Sequence, residues 1–248
     1  MWINFDGIVN VRDLGGMTGA DGRRVKPGRL LRGAILTEAS DADIRRLEQD
    51  YHLREIIDFR FSDECERQPD RAVPGAVLHS MPAMEPAHPG EKRVDAPGQD
   101  PDMFAAFLNV YRKFAESDYT AGVYRQFFDV LLGCTEGAVY FHCAQGKDRT
   151  GIAAILVLTA LGVSREDAIA DYYLSNIGLK DEVDRPGLPG AMSWSREARE
   201  RMTFVFPEAL AEFTDRADRC YGGLEGFLKQ RIGVTDGEIA RLRTLYLE

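Results

Sequence analysis

The sequence predicts an α/β fold, a central and mainly parallel sheet flanked by helices, with extra helices at the C-terminus. Three observations carry this. The apolar runs "EIIDF" (55–59) and "AVYFHC" (138–143) have the length and content of buried strands. Helical patterns precede them, "SDADIRRLEQ" before the first and "AGVYRQFFDVLLG" before the second. The apolar run Ile152–Val163 is too long for a strand and too short to span a bilayer, so it reads as a buried helix. Strands alternating with helices in this way build parallel sheets.

The elements follow in order. "NVRDLGG" (10–16) and the segment after it suggest short strands, with turns at Gly15-Gly16 and Asp21-Gly22. Ser40 or Asp41 caps a helix whose inner face carries Ile44 and Leu47. "AVLHSMP" (76–82) is a further strand. From 82 to 101 the pattern stops: five of the eleven prolines fall there, and a loop of that length is functional or mobile. "MFAAFLNVYRKFA" is a helix, and Phe127, Phe128, Leu131 and Leu132 form the apolar stripe of the next. Ser164 with Asp167 opens another helix. The stretch 177–203 is again irregular, with "RPGLPGAMSW" inside it. The tail is helical: Pro207 suits a first turn, Gly222-Gly223 a stop, and Thr235 with Glu238 a second capping box.

Composition narrows the function. The 248 residues suit one domain spanning 1–248, with 82–101 and 177–203 as lid-like segments. A net charge of −9 is the wrong field for a nucleic-acid binder or a protein coating an anionic membrane. It leaves room for a local anion site, because a few fixed donors outweigh distant screened charge. The N-terminus has no basic start and apolar core of a secretory signal, and no run is long enough for an integral membrane segment. Cys65, Cys134, Cys143 and Cys220 show no paired spacing, which suggests a reducing, cytoplasmic setting. With only four scattered histidines as well, no metal site and no cofactor are expected.

One stretch stands apart: "HCAQGKDRTG", 142–151, between the strand and the buried helix. Ligands in parallel sheets bind at the carboxyl ends of strands, and a helix N-terminus aims backbone N–H groups and a positive dipole at an anion. Gly146 lets the loop turn and Gly151 lets the helix start close to the sheet. Cys143 sits at the rim, where a helix N-terminus and an arginine favour the thiolate, the form that attacks. Arg149 offers a planar fork for two phosphate oxygens. The loop residues Ala144, Gln145, Gly146 and Lys147 supply the cup, Thr150 faces the sulfur, and His142 anchors the loop from behind. Such a cup suits phosphoryl transfer through a phosphocysteine, released by water as inorganic phosphate, without a metal.

These residues resemble the HCxxGxxR[ST]G signature of the cysteine-dependent protein tyrosine phosphatases, and the inner Gly-Lys-Asp-Arg resembles their atypical bacterial branch. "NVRDLGG", "LLRGA", "IIDFR" with Glu64 after it, "DYYLSN" and "GVTDGEIARLRTLYL" are similar to that branch too, so the resemblance covers nearly the whole chain. It implies a cysteine-phosphatase fold and hydrolysis of protein phosphotyrosine, with phosphoserine, phosphothreonine or phosphoinositides as further substrates. It implies no Trp-Pro-Asp acid loop here, since that tripeptide is absent, and points to Asp148 inside the signature as the general acid. Asp58, Asp95, Asp100 and Asp102 are its rivals. Lys147 is linked in that branch with accepting extra phosphates.

Bland alternatives exist beside these. Cys65, Cys134 and Cys220 read as ordinary cysteines. Arg12 with Asp13 suggests a buried structural pair, and Asp58 with Arg60 either another pair or support for the loop. Met192, Trp194 and Met202 form either a lid or a satellite cluster. Three other functions compete: a phosphatase for phosphoinositides or other phosphorylated rings, a silent phosphate-binding module, and sulfur transfer or arsenate reduction. The last needs a resolving cysteine close by, and none flanks Cys143.

Overall fold

The computed structural model describes residues 1–84, 103–185 and 193–248. Five strands form one sheet in the order β1-β2-β5-β3-β4: β1 (Arg12–Asp13), β2 (Leu30–Gly33), β3 (Leu53–Asp58), β4 (Val77–Ser80) and β5 (Ala138–His142). Only β1 runs antiparallel. The α/β class read from the sequence is the class observed. Gly33 and Asp58 both pair with His142, so β2, β5 and β3 end level and the chain after each leaves at the same rim. The chain enters β2 and β3 on opposite sides of β5, which makes that rim the switch point where α/β sheets bind ligands.

Alternation along β5 explains both faces. Val139 and Phe141 join a large core with α4 (Asp118–Gly133), α5 (Arg149–Ala160) and α9 (Pro207–Tyr221). Ala138 and Tyr140 join a smaller one with α1 (Asp41–Gln49). By the same period of two, Cys143 belongs to the first face and His142 to the second. α5 is buried from Thr150 to Leu158, as a helix apolar all round must be.

The helix ends obey the sequence signals. Ser40 and Asp43 form a reciprocal capping box, as do Thr235 and Glu238 at the start of α11 (Asp236–Tyr246). Ser164 accepts the Asp167 N–H at the start of α6 (Arg165–Tyr173). Pro207 opens α9 and Gly222 ends it.

Three features differ from expectation. A six-residue helix, α2 (Ser62–Arg67), follows β3, too short and polar to show a period. The stretch 177–203 is not wholly irregular: α7 (Ser175–Gly178), a 3₁₀ turn (Lys180–Asp184) and α8 (Arg196–Thr203) occupy most of its described part. Arg12 does not pair with Asp13. It bonds Asp171 on α6, while Asp13 accepts the N–H groups of Gly15 and Gly28 at 2.8 and 2.7 Å. Residues 85–102 and 186–192, with the lid readings that fall on them and Asp95, Asp100, Asp102 and Met192, lie outside the described residues.

Candidate active site

The loop 143–148 joins the end of β5 to the N-terminus of α5. Three successive carbonyls are held from outside: Ala144 O by Ile35 N–H (3.2 Å), Gln145 O by the Asn10 amide (2.9 Å) and Gly146 O by Arg32 Nη2 (2.8 Å). In a planar trans peptide the N–H opposes the C=O. The N–H groups of Gln145, Gly146 and Lys147 therefore turn inward, beside the first turn of α5. Among the described residues, no backbone carbonyl accepts from residues 144–148. The result is a cup of aligned donors, a nest for an anion. Gly146 lies at φ +67, and a Cβ there would sit 2.0 Å from Gly33 O, so only glycine lets the loop close onto the end of β2.

A buried ionic network braces this cup. Asp171 accepts from Arg12 at 2.8 Å and from Arg32 at 2.6 Å, and all three side chains are at most 2 % exposed. Arg12 also reaches Ser175 and the Asn10 side chain. Asn10 adopts the left-handed conformation (φ 58), which asparagine tolerates, and so bridges Arg12 to Gln145 O. The motifs "NVRDLGG", "LLRGA" and "DYYLSN" thus meet behind the loop, each contributing charged or amide groups that fix its carbonyls.

Cys143 is 2 % exposed on the large-core face. Arg149, the first residue of α5, meets Glu64 of α2 in a two-point pair, Nη1–Oε2 at 2.6 Å and Nη2–Oε1 at 3.0 Å. Its Nη1 also reaches Phe59 O, beyond the end of β3, at 3.3 Å. Burial opposes a charge on Glu64, but the Arg149 guanidinium overcomes it and holds the carboxyl below its ordinary range. The Thr150 hydroxyl is fully buried with no hydrogen-bond partner among the described residues, which leaves it free for a group in the cup.

Lys147 does not stand out toward solvent. Its ammonium is buried against the backbone carbonyls of Met202 and Phe204 and over the Phe107 ring, 5.4 Å from the centroid. Burial lowers its proton affinity, against the pull of Asp148 and Cys143. The lysine ties the loop to the end of α8, so Met202 contributes its carbonyl here; Trp194 donates no group to the loop but its carbonyl accepts from Arg199.

Asp148 stands at the N-cap position of α5, its side chain making no capping bond, and is one-fifth exposed. Its Oδ1 accepts from Tyr111 of α3 (Met103–Glu116) at 2.5 Å, and the Tyr111 and Tyr172 hydroxyls lie 2.6 Å apart. Asp58, its rival, is committed elsewhere. It accepts from Arg60 Nε and Nη2 at 2.9 and 2.7 Å and from the Cys65 thiol at 3.1 Å. Burial disfavours its charge, yet His142 and Arg60 keep it ionised far below the usual range, which no general acid tolerates. Asp58 and Arg60 form a buried ion pair that Asp70 joins.

His142 is buried beside them, Nε2 3.2 Å from Asp70 and Nδ1 3.2 Å from Cys143 O. Burial lowers its proton affinity, but Asp70 and Asp58 outweigh it and raise the pKa. Asp58, Asp70 and His142 cluster at metal-ligand range. Arg60 already bonds both carboxylates and supplies the cation there.

Asp58, Glu64 and Asp171 all have carboxyls held below their ordinary range. Groups of that kind stabilise the fold above the unfolded-state pKa, and the contribution is lost as pH falls through the folded value. His142, with a raised pKa, contributes below its unfolded value and loses that as pH rises. Stability is therefore expected to hold near pH 6 and to fall steeply below about pH 4. Urea titrations between pH 3 and 7 check this, and an unchanged midpoint down to pH 3 overturns it.

Sequence reasoning singled out the loop and its flanks. It left Asn10, Arg32, Asp70, Tyr111, Asp171 and Tyr172 without roles, although most lie in the motifs quoted above. A mainly parallel sheet with an amide-lined loop at its switch point, set between a buried cysteine and an arginine, is the arrangement of the cysteine phosphatase class.

The comparisons agree. Residues 3–248 match the model of a family described as the tyrosine phosphatase family, and the chain belongs to it. A Cupriavidus necator protein, whose name assigns it provisionally to the tyrosine-protein phosphatases, is 35% identical over 98% of this chain and 87% of its own. The triple specificity protein phosphatase PtpB of Mycobacterium tuberculosis is 26% identical over 97% of both chains. A tyrosine-protein phosphatase of Nostoc commune is 33% identical over 48% of this chain and 42% of its own. The protein is a protein-tyrosine-phosphatase, a hydrolase of phosphate monoesters.

Proposed function

We propose that Cys143 is the nucleophile and that the amides of 144–148 with Arg149 hold the phosphoryl group. The observation that carries this is the outward fixing of three consecutive carbonyls, which turns the loop N–H groups toward one point. In the first step the Cys143 sulfur bonds phosphorus, the ester P–O bond breaks and Asp148 protonates the leaving oxygen. In the second, water attacks phosphorus, the S–P bond breaks, Asp148 takes the water proton and inorganic phosphate leaves. Thr150 donates to the sulfur as it departs, a use for its unpartnered hydroxyl. Asp148 is favoured as the acid by its place at the mouth and by the commitment of Asp58 to Arg60.

The substrate is protein phosphotyrosine, with phosphoserine and phosphothreonine in reach, a breadth that the name of the mycobacterial relative supports. Lys147, held by two carbonyls, supports extra-phosphate recognition less than an exposed lysine would. No helix among the described residues is long and apolar enough to cross a membrane, and all four cysteines are free, which favours a cytoplasmic setting.

Asp148→Asn separates the roles. It is expected to slow phenyl phosphate, whose leaving group needs a proton, by about 100-fold and p-nitrophenyl phosphate by only a few-fold. Equal losses on both move the acid elsewhere. A panel of phosphopeptides and phosphoinositides without added metal ranks the substrates.

A further inference from the structure

We propose that Tyr111, backed by Tyr172, is a positioning residue that fixes the Asp148 carboxyl so that Oδ2 carries the proton given to the leaving group. This rests on the reading of Asp148 as the general acid.

The geometry is directional. A carboxylate only accepts, so Tyr111 donates to Oδ1 at 2.5 Å, and the remaining hydroxyl contact, at 2.6 Å, has Tyr172 donating to Tyr111. With Oδ1 held by a donor in both protonation states, a proton on Asp148 resides on Oδ2. That oxygen lies 3.8 Å from Lys147 Nζ, whose own bonds go to the Met202 and Phe204 carbonyls.

Both tyrosines are fully buried, and burial first, then Asp148, raises their pKa values, so they stay donors throughout the working range. Tyr111 cannot turn away, being packed edge-on against Phe114 and Tyr172 and tilted on Phe107. Gly151 provides the space: a Cβ there would lie 2.7 Å from the Tyr172 ring. The signature glycine thus does more than seat the helix near the sheet; it admits the ring that ends this relay. A buried phenol chain from two helices, terminating on the partly buried N-cap residue of a third, has no packing purpose that phenylalanine would not serve.

The groups that face Asp148 are Tyr111 on α3, Tyr124 on α4, Arg149 on α5, Tyr172 on α6 and Lys147 in the loop. Arg149 and Lys147 remain in a Tyr111→Phe variant, which removes the bond donated to Asp148 and leaves the Tyr172 hydroxyl without its acceptor. A leaving group that needs a proton reads the placement of that proton, whereas p-nitrophenolate scarcely does.

The test is Tyr111→Phe and Tyr172→Phe in the full chain, each read on phenyl phosphate and p-nitrophenyl phosphate. Tyr111→Phe is expected to lower kcat on phenyl phosphate by about tenfold more than on p-nitrophenyl phosphate. Tyr172→Phe shows the same preferential loss on phenyl phosphate, smaller in size, and it carries the test if the first variant does not fold. In an Asp148→Asn background, Tyr111→Phe costs nothing further on phenyl phosphate. Equal losses on both substrates overturn the proposal and leave the acid assignment intact, provided Asp148→Asn alone still discriminates the leaving groups. If Asp148→Asn does not discriminate them, the acid assignment and this proposal fall together.

Discussion

Cys143→Ser is expected to remove turnover by about four orders of magnitude or more while phosphate binding persists. The two activities separate because different parts of the chain perform them. Covalent attack needs the sulfur. In the mechanism proposed above, capture of the anion uses the N–H groups of 145–147 and the Arg149 fork, and their orientation depends on Asn10, Ile35, Arg32 and Glu64, none of which touches Cys143 in the bonds described. The exchange of sulfur for a smaller oxygen leaves those supports in place. Calorimetric titration with inorganic phosphate beside a p-nitrophenyl phosphate assay reads both. Appreciable turnover by the serine variant overturns the phosphocysteine route, and loss of binding overturns the backbone cup.

Asp171→Ala is expected to have the largest effect on stability, about 3–5 kcal/mol. It strands two arginines, Arg12 and Arg32, that are 1 % and fully buried and share this one carboxylate. A protein of this size loses roughly 10 °C of Tm for such a change. The loss propagates to function, because Arg32 then has no fixed counter-charge to hold it on Gly146 O. Asp171→Asn keeps the shape and removes the charge, and is expected to fall between the two. Thermal unfolding and phosphate affinity measured together check this; a Tm within about 2 °C of the parent shows that the triad contributes little.

Much of the fold was legible because its determinants are local. Parity along "AVYFHC" tells which face each side chain takes, and cap residues such as Ser40, Thr235 and Pro207 act within one turn. The candidate loop was legible for a similar reason: cysteine, arginine and glycines lie within nine residues on one strand–helix turn. The bracing was not. Arg12 and Asp171 are 159 positions apart and Tyr111 and Asp148 37, and nothing in residue type says which charge meets which. Asp13 beside Arg12 was the nearer partner in sequence, but the strand sends them to opposite faces. Tyr111 lies in a segment read only as a helix, and its hydroxyl is invisible to a hydrophobic pattern. Glu64 sits in a helix too short for periodicity to reveal.

The donors that define the cup are main-chain amides, and this has an evolutionary consequence. A side-chain ligand is lost to one codon change, whereas an amide survives any substitution that the backbone path accepts. Ala144 and Gln145 are held by their carbonyls, so their side chains are at liberty to vary without cost to phosphate capture. Innovation in what surrounds the phosphate can therefore proceed at those two positions while the capture itself is inherited unchanged. The constrained residues are the remote ones, Asn10 and Arg32, which lie buried behind the loop yet dictate the direction in which the peptide planes face.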